Sequence, residues 1–477
     1  MSEHESSGWE EMLRGILGPE AAEEIIRAMH QQGIDPTTML GGMLPSNPVE
    51  MQSMMAQMRY ILDSNDGPIN WKMAHDIAHQ KAWGAGDPQI SAAEGQRIRQ
   101  ALQVADLWLD AVTELEPGQG TRNAWRRTDW LDETLDVWKQ MVEPVAVNAS
   151  RALSETLAAQ MDEMTNAGIG ELPPGLANLM GQAKPMMENM AAVVFGSQIG
   201  QALGGLAHEA LGSTDVGLPL GENSMTALVA PNIDAFADGF DIPADEVNQF
   251  LALREVAHAR LFASVPWLRP EILGAIQRYS AEIRIDTDAM RDAASSVDPM
   301  DTEALQNALS GQIFNAEPTE SQSKALEKLE TLLALVEGWV DTVTHNAGRA
   351  YLPHLDQLQE IMRRRRIHGG PAEQLLASLI GLQLRPRQAR NAAELWRIVS
   401  DQQGVSERDA LWSHPDLAPT GDELAEPTQF LERRAEQADH DAEIDAALDQ
   451  MLDGTLGWAD GLEPGQDSEG DARTDLD

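Results

Sequence analysis

Cysteine is absent from all 477 residues, which removes thiol catalysis, disulfides and cysteine-type zinc sites from consideration. Basic residues are scarce. Only 34 Lys and Arg stand against 77 Asp and Glu, and the formal charge of −43 repels nucleic acid and anionic membrane over most of a surface. Long apolar runs are also missing; the longest, around Met190 to Phe195, is far too short to span a bilayer. The start, Met1-Ser2-Glu3-His4-Glu5, is acidic and no apolar segment follows it, so no signal peptide is read there. A cytoplasmic protein with no membrane or nucleic-acid partner is expected. No Gly-Lys-Ser/Thr phosphate loop, no G-x-G-x-x-G after a strand and no G-x-S-x-G elbow occurs.

What remains reads as helix. The length admits two or three domains. Residues 1–45, rich in Gly and Met, form a flexible N-terminal segment with one helix expected from Gly18 to Gln31. A helical subdomain follows over 46–167. There Ser91-x-x-Glu94 is a capping box ahead of a periodic run through Ile98, Leu102, Leu107 and Leu109. A second run, from Trp125 to Leu153, carries Trp130, Leu131, Leu135, Trp138 and Val142 at helical spacing. Gly168 to Gly175 breaks the pattern and marks the start of a core domain over 168–435. Gly196, Gly200 and Gly204 recur every four residues, the spacing of a helix packed closely on its neighbour. Leu218-Pro219-Leu220 and Thr226-Ala227-Leu228-Val229 read as two short strands. Residues 436–477 form an acidic tail expected to be disordered. The fold class is mainly α-helical, α+β at most.

One helix stands out. Pro243 suits a first turn, Asp245 and Glu246 suit the positive end of the helix dipole, and Pro266 stops the helix after about Ser264. Within it lies Leu253-Arg254-Glu255-Val256-Ala257-His258. This has the spacing of the H-E-x-x-H motif of zinc peptidases, in which two imidazoles at i, i+4 hold one zinc ion and the Glu activates its water. Here the first histidine is Arg254, whose guanidinium carries a permanent positive charge and cannot coordinate a cation. Glu255 occupies the general-base position and His258 that of the second ligand. Arg254 and His258 fall on the apolar stripe, where a charge needs a partner or a metal.

A second capped helix begins at Thr319-x-x-Gln322, and its apolar face runs through Leu326, Leu329, Leu333, Val336, Val340 and Val343. Glu337 lies among these residues and requires a cation. It has the character of the carboxylate third ligand of a zinc peptidase, or of the partner of a structural arginine.

The chain resembles the actinobacterial zincin-like hydrolases described as zinc-dependent metalloproteases. The resemblance covers roughly residues 47–436. It rests on Ala230-Pro231-Asn232, the Leu253–His258 block, Val265-Pro266-Trp267-Leu268-Arg269, Val336-Glu337-Gly338-Trp339-Val340 and the run Arg363 to Pro371. Leu384-Arg385-Pro386-Arg387, Arg408-Asp409-Ala410-Leu411-Trp412 and His414-Pro415-Asp416 complete it. It implies a zincin-type domain with short strands before the motif helix. Arg254, Glu255, His258 and Glu337 then match first ligand, base, second ligand and third ligand, in a branch that carries arginine at the first.

Two readings follow. In one, the protein is a zinc-dependent metallohydrolase cleaving peptide or amide bonds, with zinc held by His258, Glu337 and a group such as His345, His354, His368 or Asp341. In the other, it is an inactive zincin-fold binding or scaffold module, in which an Arg254–Glu337 bridge replaces the metal and the cleft takes a peptide or protein partner. Arg363 to Arg366 form the one dense basic run. Arg364, Arg366 and Arg385 are candidates for receiving an anionic group such as a peptide C-terminus, or they pair with the abundant carboxylates. Trp267, Trp339, Trp396 and Trp412 are expected in the core.

Overall fold

The computed structural model describes residues 67–84, 86–166, 189, 192–214, 217–221, 225–282, 319–367 and 388–452. Its elements run α1 (Trp71–Gly84), α2 (Ala92–Leu109), β1 (Arg122–Trp125), α3 (Arg127–Asn166), β2 (Thr226–Val229), α4 (Ala230–Ala237), α5 (Ala244–Ser264) and α6 (Leu268–Ala281). Then follow α7 (Glu320–Gly348), α8 (Leu355–Ile367), α9 (Ala389–Gln403), α10 (Val405–Ala410), α11 (Gly421–Ala425) and α12 (Phe430–Leu452). Residues 192–206 are also helical. The protein is mainly α-helical, and no described helix is long and apolar enough to cross a membrane.

Local chemistry sets the ends of the helices that matter. Ser91 and Glu94 close a reciprocal capping box on α2, and Thr319 and Gln322 do the same for α7. α5 starts after Pro243 and stops before Pro266, which has no N–H to donate. It is the central helix. From Phe250 to Leu261 every residue is buried, because α2 and α7 both pack on it and β2 lies alongside. The apolar stripe read from the sequence is thus only part of a helix enclosed on all faces. Arg254, Glu255, His258 and Arg260 are buried with it, and each requires a polar partner. Arg260 finds its own in Asp106, through Oδ1 and the backbone carbonyl, and in Asp110.

The strands differ from expectation. Leu218-Pro219-Leu220 is an irregular buried turn, since Pro219 lacks a donor for a ladder. The partner of β2 is β1, which pairs in parallel with Arg122 opposite Thr226 and Trp125 opposite Val229. Trp125, expected to open a helix, ends this strand, and α3 begins at Arg127. An antiparallel bridge from Gly212 to Leu228 adds a third backbone segment at the edge of β2.

The close packing expected of Gly196, Gly200 and Gly204 is present, against α1. A Cβ on Gly200 would lie 2.6 Å from the Ala74 carbonyl oxygen, and one on Gly196 would lie 2.6 Å from that of Asn70. The boundary region around 168–175 lies outside the described residues, as do 1–45. The helices on either side of it contribute to one hydrophobic cluster, with α3 packed on α6 and α2 on α5. Residues 436–452, assigned to a disordered tail, continue α12 instead. Ala, Glu and Gln are strong helix formers even where nothing is buried. Trp339, Trp396 and Trp412 lie fully in the core and Trp267 packs against it.

Candidate functional site

Three backbone segments converge on the middle of α5, and their polar groups define the site. Glu255 meets the 212–214 turn and β2. One of its carboxylate oxygens accepts from the Ser213 hydroxyl, from Ser213 N at 3.0 Å and from Ala227 N at 3.2 Å. The other accepts from Thr214 Oγ1 at 2.7 Å and Thr214 N at 3.2 Å. Gly212 leaves room for this, because a Cβ there would stand 2.5 Å from the carboxylate. Burial pushes the Glu255 carboxyl above its ordinary range, against the hydroxyl and amide donors of Ser213, Thr214 and Ala227, which favour the anion. Its two oxygens thus accept five hydrogen bonds from the fold.

Arg254 points the other way, to α7. Its Nη2 donates to Glu337 Oε2 at 2.7 Å and its Nη1 to Asp341 Oδ1 at 2.5 Å. Glu337 and Asp341 are one helical turn apart, so a planar guanidinium spans both. A second layer surrounds this fork. Arg366 of α8 forms an ion pair with Glu337 Oε1, and Arg363 donates from Nε to Asp341 Oδ2 at 3.2 Å. Two carboxylates of α7 thus receive three guanidiniums from two other helices.

His258 completes the group. Its Nδ1 lies 2.8 Å from the Arg254 carbonyl oxygen and its Nε2 lies 2.9 Å from Glu337 Oε1. Burial, then the Arg254 and Arg366 charges, push the imidazole down to about 3. The Glu255 charge and the hydrogen bond with the Arg254 carbonyl pull the other way, and are outweighed. The ring is therefore neutral at physiological pH, and with one N–H it makes one of these two contacts as a hydrogen bond. A small cavity of about 20 Å³, room for about one water molecule, lies among Gly212, Thr214, Arg254, Glu255, His258 and Arg366.

The depressed imidazole has a signed consequence. Below about pH 6.5 the unfolded chain takes up a proton on His258 that the folded chain refuses until about pH 3, so stability falls as pH drops through that window. His258→Gln removes this contribution. Between pH 6.5 and 4.5 its unfolding free energy should fall about 2–3 kcal/mol less than that of the wild type, at 1.36 kcal/mol per pH unit. Urea titrations at the two pH values measure the difference; equal slopes would show that His258 already carries its proton in the fold.

The remaining candidates disperse. His345 lies beside Gln359 and Asp356, and His354 beside Glu246, so neither reaches His258. Asp341 does join the group, as an acceptor for Arg254 and Arg363. Arg364 pairs with Glu360 on the surface, while Arg365 donates to the Glu209 carbonyl. Arg385 and His368 lie outside the described residues. The arginine run is thus spent on internal carboxylates and carbonyls, with no shared anion patch among its described members. Ser213 and Thr214, which hold Glu255, were not anticipated; their turn carries no periodic pattern that would have marked them.

Comparison with known proteins agrees with this architecture. The pattern of the zincin-like metallopeptidase family matches residues 69–431. No curated protein matches the chain. A crystal structure from Chloroflexus aurantiacus, described as that of "a putative hydrolase with a novel fold", superposes with a TM-score of 0.53 at 18% identity. The match covers 77% of this chain and 99% of that one, and shows a shared fold. With most of its length inside the family pattern, the chain belongs to the zincin-like metallopeptidase family.

Proposed function

We propose that this chain has exchanged the family's metal ion for a guanidinium, and that it serves as a binding module for a peptide or protein partner rather than as a peptidase. The observation that carries this reading is the Arg254 fork. It sits at the first-ligand position and holds both Glu337, at the third-ligand position, and Asp341.

Zinc does not fit these residues. A catalytic site takes three protein ligands and a water. Here the candidates are His258, Glu337 and Asp341, and both oxygens of each carboxylate are engaged by guanidiniums. A divalent cation would also stand next to two permanent positive charges. Glu255, at the general-base position, faces five donors of the fold. Such a set supports no hydrolytic step.

The partner reading is supported by a cavity beside the lock. A cavity of about 430 Å³ opens among α7, α8 and α9, the size of many ligand clefts. Arg363, Arg390 and Arg397 line it together with Asp341, Asp356 and Glu394. Alternating charges of both signs suit a polar peptide segment better than an apolar ligand or a polyanion. Asp341 belongs to both the lock and the cavity, so the Arg254 fork fixes one wall of the cleft.

The test uses protein purified without a histidine tag. Elemental analysis of the wild type is expected to find no metal that His258→Ala removes, and assays on a generic peptide pool are expected to find no hydrolysis sensitive to chelators. Arg254→His should admit zinc at the motif. Metal lost on His258→Ala, with hydrolysis lost on Glu255→Gln in a folded protein, would restore the metallohydrolase reading.

A further inference from the structure

Away from the motif, α1 and α3 bring three metal-ligating side chains to one point. His75 and His79 are one turn apart on α1, so their rings share a face. The ring centroids are 4.2 Å apart. Asp132, near the start of α3, reaches between them. His75 Nε2 lies 2.9 Å and His79 Nε2 lies 2.8 Å from the same oxygen, Asp132 Oδ1. The nitrogens of both rings and the carboxylate therefore converge on one small volume. Among the described residues this is the one group of three such side chains with all ligand atoms within 4.8 Å of one another.

We propose that His75, His79 and Asp132 form a binding site for a divalent transition metal of the zinc class, independent of the altered motif. Two imidazoles at i, i+4 with a carboxylate from a second helix supply the three protein ligands of an open zinc site, with further positions left to water. Nitrogen donors favour zinc, nickel, cobalt or copper over magnesium or calcium, which take oxygen. A shift of a few tenths of an ångström opens the cluster to metal–ligand bonds of about 2.0–2.2 Å. Partial exposure of the three side chains, 36%, 29% and 52%, gives a metal an entry path and spares the ligands a large desolvation cost.

The surroundings agree in sign. Asp76 lies 3.8 Å from His75 Nδ1, and the charged neighbours Arg126 and Asp129 neutralise each other as an ion pair. The supports are also rigid. α1 is pinned backbone to backbone by Gly196, Gly200 and Gly204, and the start of α3 is held by the Asp87 carboxylate, which accepts from Arg127 N and the Thr128 hydroxyl. Bound metal would therefore clip two helices that are already in place, and its affinity would not be spent on ordering them.

The experiment is metal titration of the untagged full chain after dialysis against a chelator. Co²⁺ is followed by its visible absorption, and Zn²⁺ by equilibrium dialysis and by the rise in Tm. One ion per chain is expected, together with a Zn²⁺-dependent rise in Tm. His75→Ala/His79→Ala should weaken binding at least tenfold and abolish the rise, and Asp132→Asn should weaken it too. These side chains are part-exposed, so the variants are expected to fold as the wild type does. Metal that stays in the double-histidine variant would overturn the proposal, and would instead challenge the reading of the Arg254 fork. A wild type that binds neither ion would overturn this site alone and leave that reading standing.

Discussion

Arg254→Ala lowers the unfolding free energy by about 3–5 kcal/mol, the range for orphaning one partner of a buried ion pair. Both α7 carboxylates lose a charge-assisted hydrogen bond at once. Arg366 remains on Glu337 and Arg363 on Asp341, so neither carboxylate is left wholly alone and the loss belongs toward the lower end of that range. Arg254→Lys recovers only part of it. An ammonium is a point charge on a flexible stem and does not span two acceptors a helical turn apart as a planar fork does. Chemical denaturation of the two variants beside the wild type measures both numbers. A loss below about 1 kcal/mol for Arg254→Ala would mean that the fork contributes little to holding α5 on α7.

Glu255→Ala is expected to cost a similar amount, about 3–5 kcal/mol, for the opposite reason. It removes an acceptor and strands donors. The buried amides of Thr214 and Ala227 have this carboxylate as their partner, while Ser213 N keeps the Ala227 carbonyl at 3.1 Å, and each unsatisfied donor costs about 1–3 kcal/mol. Loss of a buried charge, whose burial already raises the carboxyl pKa, returns part of that total. Glu255→Gln keeps one acceptor oxygen and removes the charge, so it falls between Ala and the wild type. Thermal melts of the three proteins give the order. If Glu255→Ala melts with the wild type, the carboxylate is free for chemistry and its position as general base becomes credible. An activity lost in Glu255→Gln therefore has to be read beside its melting curve.

The sequence made the helices legible because their ends carry local chemistry. The capping boxes at Ser91 and Thr319 and the prolines around α5 are signals within four residues of the structure they set. Arg254, Glu337 and the facing of their two helices were also within reach, since burying two opposite charges leaves few arrangements. What lay beyond reach depends on contacts between distant segments. β1 is four residues of mixed polarity next to a strong helical pattern, and nothing within it announces a partner at Thr226. The donors to Glu255 are hidden for the same reason, since the 212–214 turn has neither period nor cap. His75 and His79 are a different case. Their i, i+4 spacing was plain in the chain, but Asp132, which gives it meaning, is supplied by a helix more than fifty positions later.

The parallel pairing of β1 with β2, the one strand pair among the described residues, also bears on the order in which the molecule assembles. Joining Arg122 to Thr226 closes a long loop, and that entropy must be met before the short ladder returns anything. Helices such as α2 and α7 need no such closure, since their hydrogen bonds and caps are local. The ladder belongs to the late, slow steps, and the amide of Ala227 reaches Glu255 only once β2 is seated. The helical scaffold can thus form early while the centre of the motif helix still waits for its acceptors to be filled. The neighbourhood of Glu255 therefore depends on a long-range closure that the capped helices around it do not need.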